Sequence, residues 1–174
     1  RHTRCLSDWS SDVCSSDLMV AQEMEVIEPD AIHAAREELG QALGIAHGEA
    51  LWSAYQDFAP SGAYRHEQSE IDRRRLRNTV LRMLVLSGEP GAIETAWSQF
   101  ETADNMTDAQ AAFVVLADGQ HDRRDDIVEA FYDRWQGDPL VVDKWFAIQA
   151  GSSRTDTLKR VRELAEHQIG RAHV

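Results

Sequence analysis

A chain of 174 residues, 43% hydrophobic and 28% charged, has the size and composition of one globular domain able to bury a core. Its 30 acidic against 18 basic residues give a formal charge of −12, which excludes sequence-independent binding to nucleic acid or anionic lipid, because both are polyanions that repel an acidic surface. No apolar run approaches the roughly 18 to 20 residues of a bilayer span, and the longest, Ala109–Ala117, is broken by Gln110, so neither nucleic acid nor membrane is an expected partner. Few prolines and glycines and many Ala, Leu, Glu, Gln and Arg residues favour helix, and the predicted class is all-α.

In chain order, residues 1–18 (RHTRCLSDWSSDVCSSDL) show no period of 2 or 3.6, nothing to nucleate an element, and neither the apolar core of a secretory signal nor an Arg-rich amphipathic stripe. The stretch resembles a conceptual translation of a common sequencing adapter, and residues 169–174 (IGRAHV) resemble the opposite strand of its shared end. Both are expected to be non-native, leaving residues 19–168 as a native piece cut at both ends. The two segments hold Arg1, Arg4 and Arg171 against Asp8, Asp12 and Asp17, so the acidity belongs to the remainder. They also hold both cysteines, Cys5 and Cys14, which removes a disulfide, a metal thiolate and a catalytic thiol from consideration and suits a reducing cytoplasm.

Pro29-Asp30 opens a first helix with Ile32, Ala35, Leu39 and Leu43 on one face, predicted to end near Gly44. Leu51, Trp52, Tyr55 and Phe58 mark a second, stopped by Ala59–Gly62. From Ser69, Ile71, Leu76, Val80, Leu81, Leu84 and Val85 predict a long third helix ended by Gly88-Glu89-Pro90-Gly91. Ile93, Ala96, Trp97 and Phe100 give a short fourth. Thr107 to Gln110 has the form of a capping box and places the start of a fifth at Asp108. Asp125–Gln136 and Leu140–Ile148 are a sixth and seventh, separated by Gly137-Asp138-Pro139, and Thr155 is predicted to cap an eighth carrying Leu158, Val161 and Leu164. About eight short helices joined by short turns predict an α-α superhelix of HEAT or armadillo-like hairpins, here truncated. No strict internal repeat is visible, and a non-repeating bundle is the alternative.

Few constellations carry chemistry. His66-Glu67-Gln68-Ser69-Glu70 begins like a zincin helix, but its fifth position is Glu70, and no pair among His33, His47, His121 and His167 has metal spacing. Arg73, Arg74, Arg75 and Arg77 have the chemistry of an oxyanion cradle, but at helical spacing in an acidic chain they predict a solvated face with local Glu or Asp pairs. Trp52, Trp97, Trp135, Trp145, Phe100, Phe131 and Phe146 lie on apolar stripes and are predicted core rather than a ligand groove. Asp143-Lys144-Trp145 suggests a salt-bridged lysine beside a buried ring, fixing the angle between helices. Nucleophile elbow, P-loop and Gly-rich dinucleotide turn are all missing, so nothing here predicts hydrolase or nucleotide chemistry.

Several longer strings do carry a resemblance. FETADNMTD (Phe100 to Asp108), AFYDRWQGD (Ala130 to Asp138), PLVVDKWFAIQA (Pro139 to Ala150) and TDTLKRVREL (Thr155 to Leu164), with IEPDAIHAAREEL from Ile27 and RRRLRN from Arg73, occur in this order. Together they resemble the C-terminal helical domain of the bacterial aminopeptidase N family, zinc-dependent alanyl aminopeptidases of the gluzincin class, over Ile27 to His167. The resemblance implies a cytoplasmic parent enzyme with a β-rich N-terminal domain, a thermolysin-like catalytic domain and a small β-sandwich. In that family one zinc sits on an H-E-x-x-H helix plus a downstream Glu and activates water, while a G-x-M-E-N segment binds the substrate amine. This sequence contains neither motif, so no catalytic, cofactor-binding or metal residue is carried over. The implied role is a lid that encloses the catalytic cavity, with the catalytic domain of the same chain and peptide substrates as partners. The alternative is a free-standing helical-repeat adaptor whose concave face binds a partner protein.

Overall fold

The computed structural model describes residues 11–167. Eight helices follow one another: α1 (Ser11–Gln22), α2 (Pro29–Asp57), α3 (Gln68–Leu86), α4 (Ala92–Thr102), α5 (Met106–Asp118), α6 (Arg124–Trp135), α7 (Pro139–Ala150) and α8 (Thr157–Ala165). No strand occurs among the described residues. Each helix packs on its neighbours in sequence, and α5 additionally touches α3 and α7, so successive hairpins stack in layers as in a helical repeat. The all-α superhelical class read from the sequence is therefore the observed one.

The central helix is α5, and its composition says why. Ala109, Ala111, Ala112, Phe113, Val115, Leu116 and Ala117 are all buried, an apolar surface on nearly every side of the helix. The alanines let neighbouring helices approach closely, while Phe113 stacks on Phe131 of α6 with ring centroids 4.2 Å apart. Phe131 in turn meets Phe100 of α4 and Trp135, and Leu81 and Leu84 of α3 close the cluster. Trp145 of α7 is buried and donates Nε1–H to the Val128 carbonyl at 2.8 Å, which ties α7 to α6. The predicted aromatic core is thus the real one: Phe100, Phe131 and Trp145 are buried, and Trp52, Trp97, Trp135 and Phe146 pack against them partly buried.

Boundaries differ chiefly in three places, and in addition α8 begins at Thr157 behind Asp156 instead of under the predicted Thr155 cap. Residues 11–22 are helical although their sequence predicts no element; residues 1–10 and the segment 169–174 lie outside the described residues. The first two predicted helices are one, α2, bent rather than broken at His47 (φ −128°, ψ 21°). Its glycines serve close approach, not termination. A Cβ at Gly44 would lie 2.5 Å from Ser87 Cβ and 2.9 Å from the Met83 carbonyl, so α2 passes against the end of α3 at a distance only glycine allows. As a result Leu39 and Leu43, predicted to face the core, point to solvent, and of that stripe Ile32 alone is buried. Finally, α5 is capped by Asn105, whose side chain accepts the Asp108 amide at 3.0 Å, so the helix starts before the predicted Thr107 box.

The turn after α3 follows its sequence closely. Glu89 N–H reaches the Leu84 carbonyl (3.0 Å) and Gly88 N–H the Val85 carbonyl (3.1 Å), the Schellman pattern, with Gly88 left-handed at φ 72°.

Candidate functional site

Most of the molecule's organised polar chemistry lies where α2, α3, α4 and α5 meet beneath the loop 58–67. Asn78 (2% exposed), Gln99 (4%) and Asp108 (3%) occupy positions that their helices turn inward, so each must find partners. Tyr55 Oη donates to Gln99 Oε1 (2.9 Å). Gln99 Nε2 donates to Asn78 Oδ1 (2.8 Å) and to the Asp108 carbonyl (3.0 Å), and Asn78 Nδ2 donates to Asp108 Oδ1 (2.9 Å). Asn105 Nδ2 donates to Asp108 Oδ2 and to Asp104 Oδ1, both at 2.9 Å, and the Tyr64 amide donates to Asp104 Oδ2 (3.1 Å). One continuous chain of hydrogen bonds thus runs from α2 through the core to the loop.

The arginine run of α3 borders this chain, and its predicted solvated face is corrected here. Arg75 is exposed, but the others turn toward the body. Arg77 Nη2 donates to Tyr55 Oη (2.8 Å) with its guanidinium 4.2 Å above the same ring. Arg74 is 7% exposed, donates to the Arg65 carbonyl (3.3 Å) and lies 4.8 Å above Tyr64. Arg73 donates to the Ala59 carbonyl and to Glu70. The reason is the loop: a ten-residue connection presents carbonyls with no helical partner, and guanidinium groups satisfy them.

Electrostatics follow from that packing. The Glu70 carboxyl is held below the usual carboxylate range by the hydrogen bond from Arg73, assisted by the charges of Arg73, Arg65 and Arg74. Burial pushes the Tyr55 hydroxyl up, against the lowering effect of Arg77. The enclosed space among Tyr64, Glu70, Arg73, Arg74, Asp104 and Asp108 is about 10 Å³, room for one water at most. With most of its donors and acceptors turned on one another, and only Arg73 Nε and Arg77 Nε buried without a partner among them, the cluster orders four helices and a loop and presents no reactive face.

The other sequence candidates are dispersed. His66 is exposed, its Nδ1 3.3 Å from Tyr64 Oη, and Glu67 pairs with Arg65 at 3.9 Å. His33 pairs with Glu37 (3.6 Å), while His47 marks the α2 bend. Among the described residues no group of three or more His, Cys, Asp or Glu side chains is placed to hold a metal ion. Asp143 and Lys144 are exposed and not joined by an ion pair, so only the ring of the predicted Asp143-Lys144-Trp145 device ties helices together. An open groove of about 380 Å³ lies between α6, α7 and α8, lined by Asp125, Val128, Glu129, Tyr132, Trp145, Arg160 and His167.

The buried chain of Tyr55, Asn78, Gln99 and Asp108 is what sequence reading missed. A signal existed: Asn78 falls one turn before Leu81, and Gln99 between Ala96 and Phe100, uncharged amides on otherwise apolar stripes.

Comparison with known proteins adds the following. The family described as "Domain of unknown function (DUF3458_C) ARM repeats" matches residues 14–169. The chain is 36% identical over 149 residues to aminopeptidase N of Escherichia coli (strain K12), covering 86% of this chain and 17% of that protein. It is 31% identical over 150 residues to aminopeptidase N of Caulobacter vibrioides, covering 85% and 17%. Among solved structures, Legionella pneumophila aminopeptidase A in complex with aspartic acid superposes with a TM-score of 0.70 at 24% identity, over 80% of this chain and 17% of that one, a likeness of fold. The chain spans about a sixth of the length of the relatives it matches. Among the described residues no helix is long and apolar enough to cross a membrane.

Proposed function

From the premise that this chain belongs to the DUF3458_C family of ARM-repeat domains, we propose that it is part of the C-terminal helical domain of an aminopeptidase N, a metallo-aminopeptidase that removes N-terminal residues from peptides. The observation that carries this is sequence identity to aminopeptidase N along nearly the whole chain, confined to one short stretch of that longer enzyme. In the intact enzyme the domain serves as a lid. Its helices wall the catalytic cavity, admit peptides and keep bulk water and folded proteins out. Its partners are then the catalytic domain of the same chain and the peptide substrate, in the cytoplasm.

What supports a lid rather than a reacting part is the use to which polar groups are put. Tyr55, Asn78, Gln99, Asp108 and the α3 residues Arg73, Arg74 and Arg77 are committed to internal bonds that stiffen the hairpin stack. The residues present do not fit a zinc site: His66 and Glu67 are exposed, and Glu70 is taken by arginines. The metal of the parent enzyme belongs to its catalytic domain, and no catalytic, cofactor-binding or metal residue is assigned to this chain.

The test is to amplify outward from the codons of Glu28 and Glu166 in the source DNA and read the frame. The expected result is an upstream frame encoding H-E-x-x-H and G-x-M-E-N, with native sequence replacing residues 1–18 and 169–174. The enzyme expressed from that frame should cleave an alanyl anilide and lose activity to a chelator, while the 174-residue chain should give no turnover with added zinc. A start codon at Met19 with no peptidase upstream overturns the proposal in favour of the adaptor.

A further inference from the structure

Two turns at one end of the stack are tied to each other beside a histidine. Asp118, the last residue of α5, accepts from Ser152 Oγ (2.6 Å), from the Ser153 amide (2.9 Å) and from Ser153 Oγ (3.1 Å), all in the turn between α7 and α8. Arg154 in that turn answers with Nη1 donating to the Gly119 carbonyl (2.8 Å), and Arg124 at the start of α6 donates from Nε to the Ala117 carbonyl (2.9 Å). His121 lies beside this tie, two residues past Gly119. A Cβ added to Gly119 would lie 2.8 Å from its Cδ2, so the ring rests on the same residue whose carbonyl Arg154 holds.

The ring's bonding fixes its protonation. Nδ1 accepts the Arg123 amide at 3.2 Å and so carries no proton, which places the proton of the neutral ring on Nε2. Nε2 is buried, and the Leu116 backbone is the neighbouring group that favours a proton on the ring. A second proton must go to Nδ1, where it meets a donor instead of an acceptor and breaks the bond that shapes the turn.

We propose that His121 is a proton-sensitive latch between the α5–α6 and α7–α8 turns, closed when the ring is neutral and released when it is protonated. The charged groups around it oppose protonation on balance. Arg123 in its own turn and Arg154 from the α7–α8 turn repel a cation. Asp122 favours one, but Asp118 is engaged by the two serines and Asp156 by Arg154. Burial, first, and the two guanidinium groups hold the ring below its ordinary value, against the Leu116 carbonyl and Asp122. The closed state therefore binds fewer protons than the open one. It is fully held above the ordinary histidine value of about 6.5 and lost as pH falls through the lower value of the closed ring.

Amide exchange and histidine ring resonances of the whole 174-residue chain, followed by NMR from pH 7.5 to 5, test this. His121 should titrate below the ordinary value. Exchange at Arg123 and Ser153, corrected for intrinsic chemistry, should rise by up to about tenfold per pH unit, the limit for one linked proton, while amides of Leu81 and Leu84 stay unchanged. His121→Gln, neutral throughout, should abolish the excess pH dependence. Arg154→Gln should move the His121 titration upward and stands as the independent variant where His121→Gln does not fold. Titration of His121 at or above its ordinary value, or the same exchange profile in wild type and His121→Gln, overturns the latch.

Discussion

Asn78 and Arg75 sit three residues apart on α3 and illustrate how little residue type says about residue role. Asn78 joins Gln99 to Asp108 inside the core, whereas Arg75 is exposed. Replacing Asn78 by alanine leaves a buried carboxylate oxygen of Asp108 without its donor and the Gln99 amide short of an acceptor. Each such loss costs about 1–3 kcal/mol, so Asn78→Ala should lower the unfolding free energy by about 2–3 kcal/mol in urea titrations, and Arg75→Ala should stay within about 0.5 kcal/mol. Equal effects at the two positions would mean that the buried chain of hydrogen bonds is not holding α3 to α4 and α5. At this scale the aromatic core was legible, because Phe100, Phe131 and Trp145 have nowhere else to go. The arginines were not. A guanidinium group reaches solvent or a loop carbonyl equally well from the same helical position, and only the loop carbonyls of Ala59 and Arg65, which accept from Arg73 and Arg74, settle which.

Helices were legible as periods and illegible at their glycines. Gly44 reads as a terminator, yet α2 continues through it because the end of α3 lies against its bare backbone. Gly44→Ala gains up to about 1 kcal/mol of helix propensity and loses more to the clash with Ser87 and the Met83 carbonyl. The expected outcome is a net destabilisation of about 1–3 kcal/mol, read from thermal melts followed by circular dichroism. Gly137→Ala, where an added Cβ meets nothing within 4 Å, should leave the melting temperature nearly unchanged. A stabilised Gly44→Ala would show that α2 and α3 are not in such close contact. The same logic explains the cap of α5. Asn105 and Thr107 both suit an N-cap, and the bonds from Asn105 to Asp104 and Asp108 decide between them through the tertiary position of Asp108.

Across the whole molecule, α2 leaves large apolar side chains uncovered: Leu39 is 60% exposed, Leu43 39% and Ile45 65%. A surface of this kind drives association in water. Sedimentation velocity at micromolar concentrations should show concentration-dependent self-association of the chain, and Leu39→Glu with Ile45→Glu should return it to monomer without changing its helical signal; a monodisperse wild-type monomer contradicts this. The sequence by itself determined the class, most of the helices, the aromatic core and the resemblance to one peptidase family, because periodicity, capping residues and long matching strings are local properties of the chain. Only the tertiary structure decided which face of α2 is inside, which arginines are free, which amides are buried and which turns are tied through His121. Those outcomes depend on what lies across the helix interface, and residues as far apart as Tyr55, Asn78, Gln99 and Asp108 acquire a common role only once the hairpins have stacked.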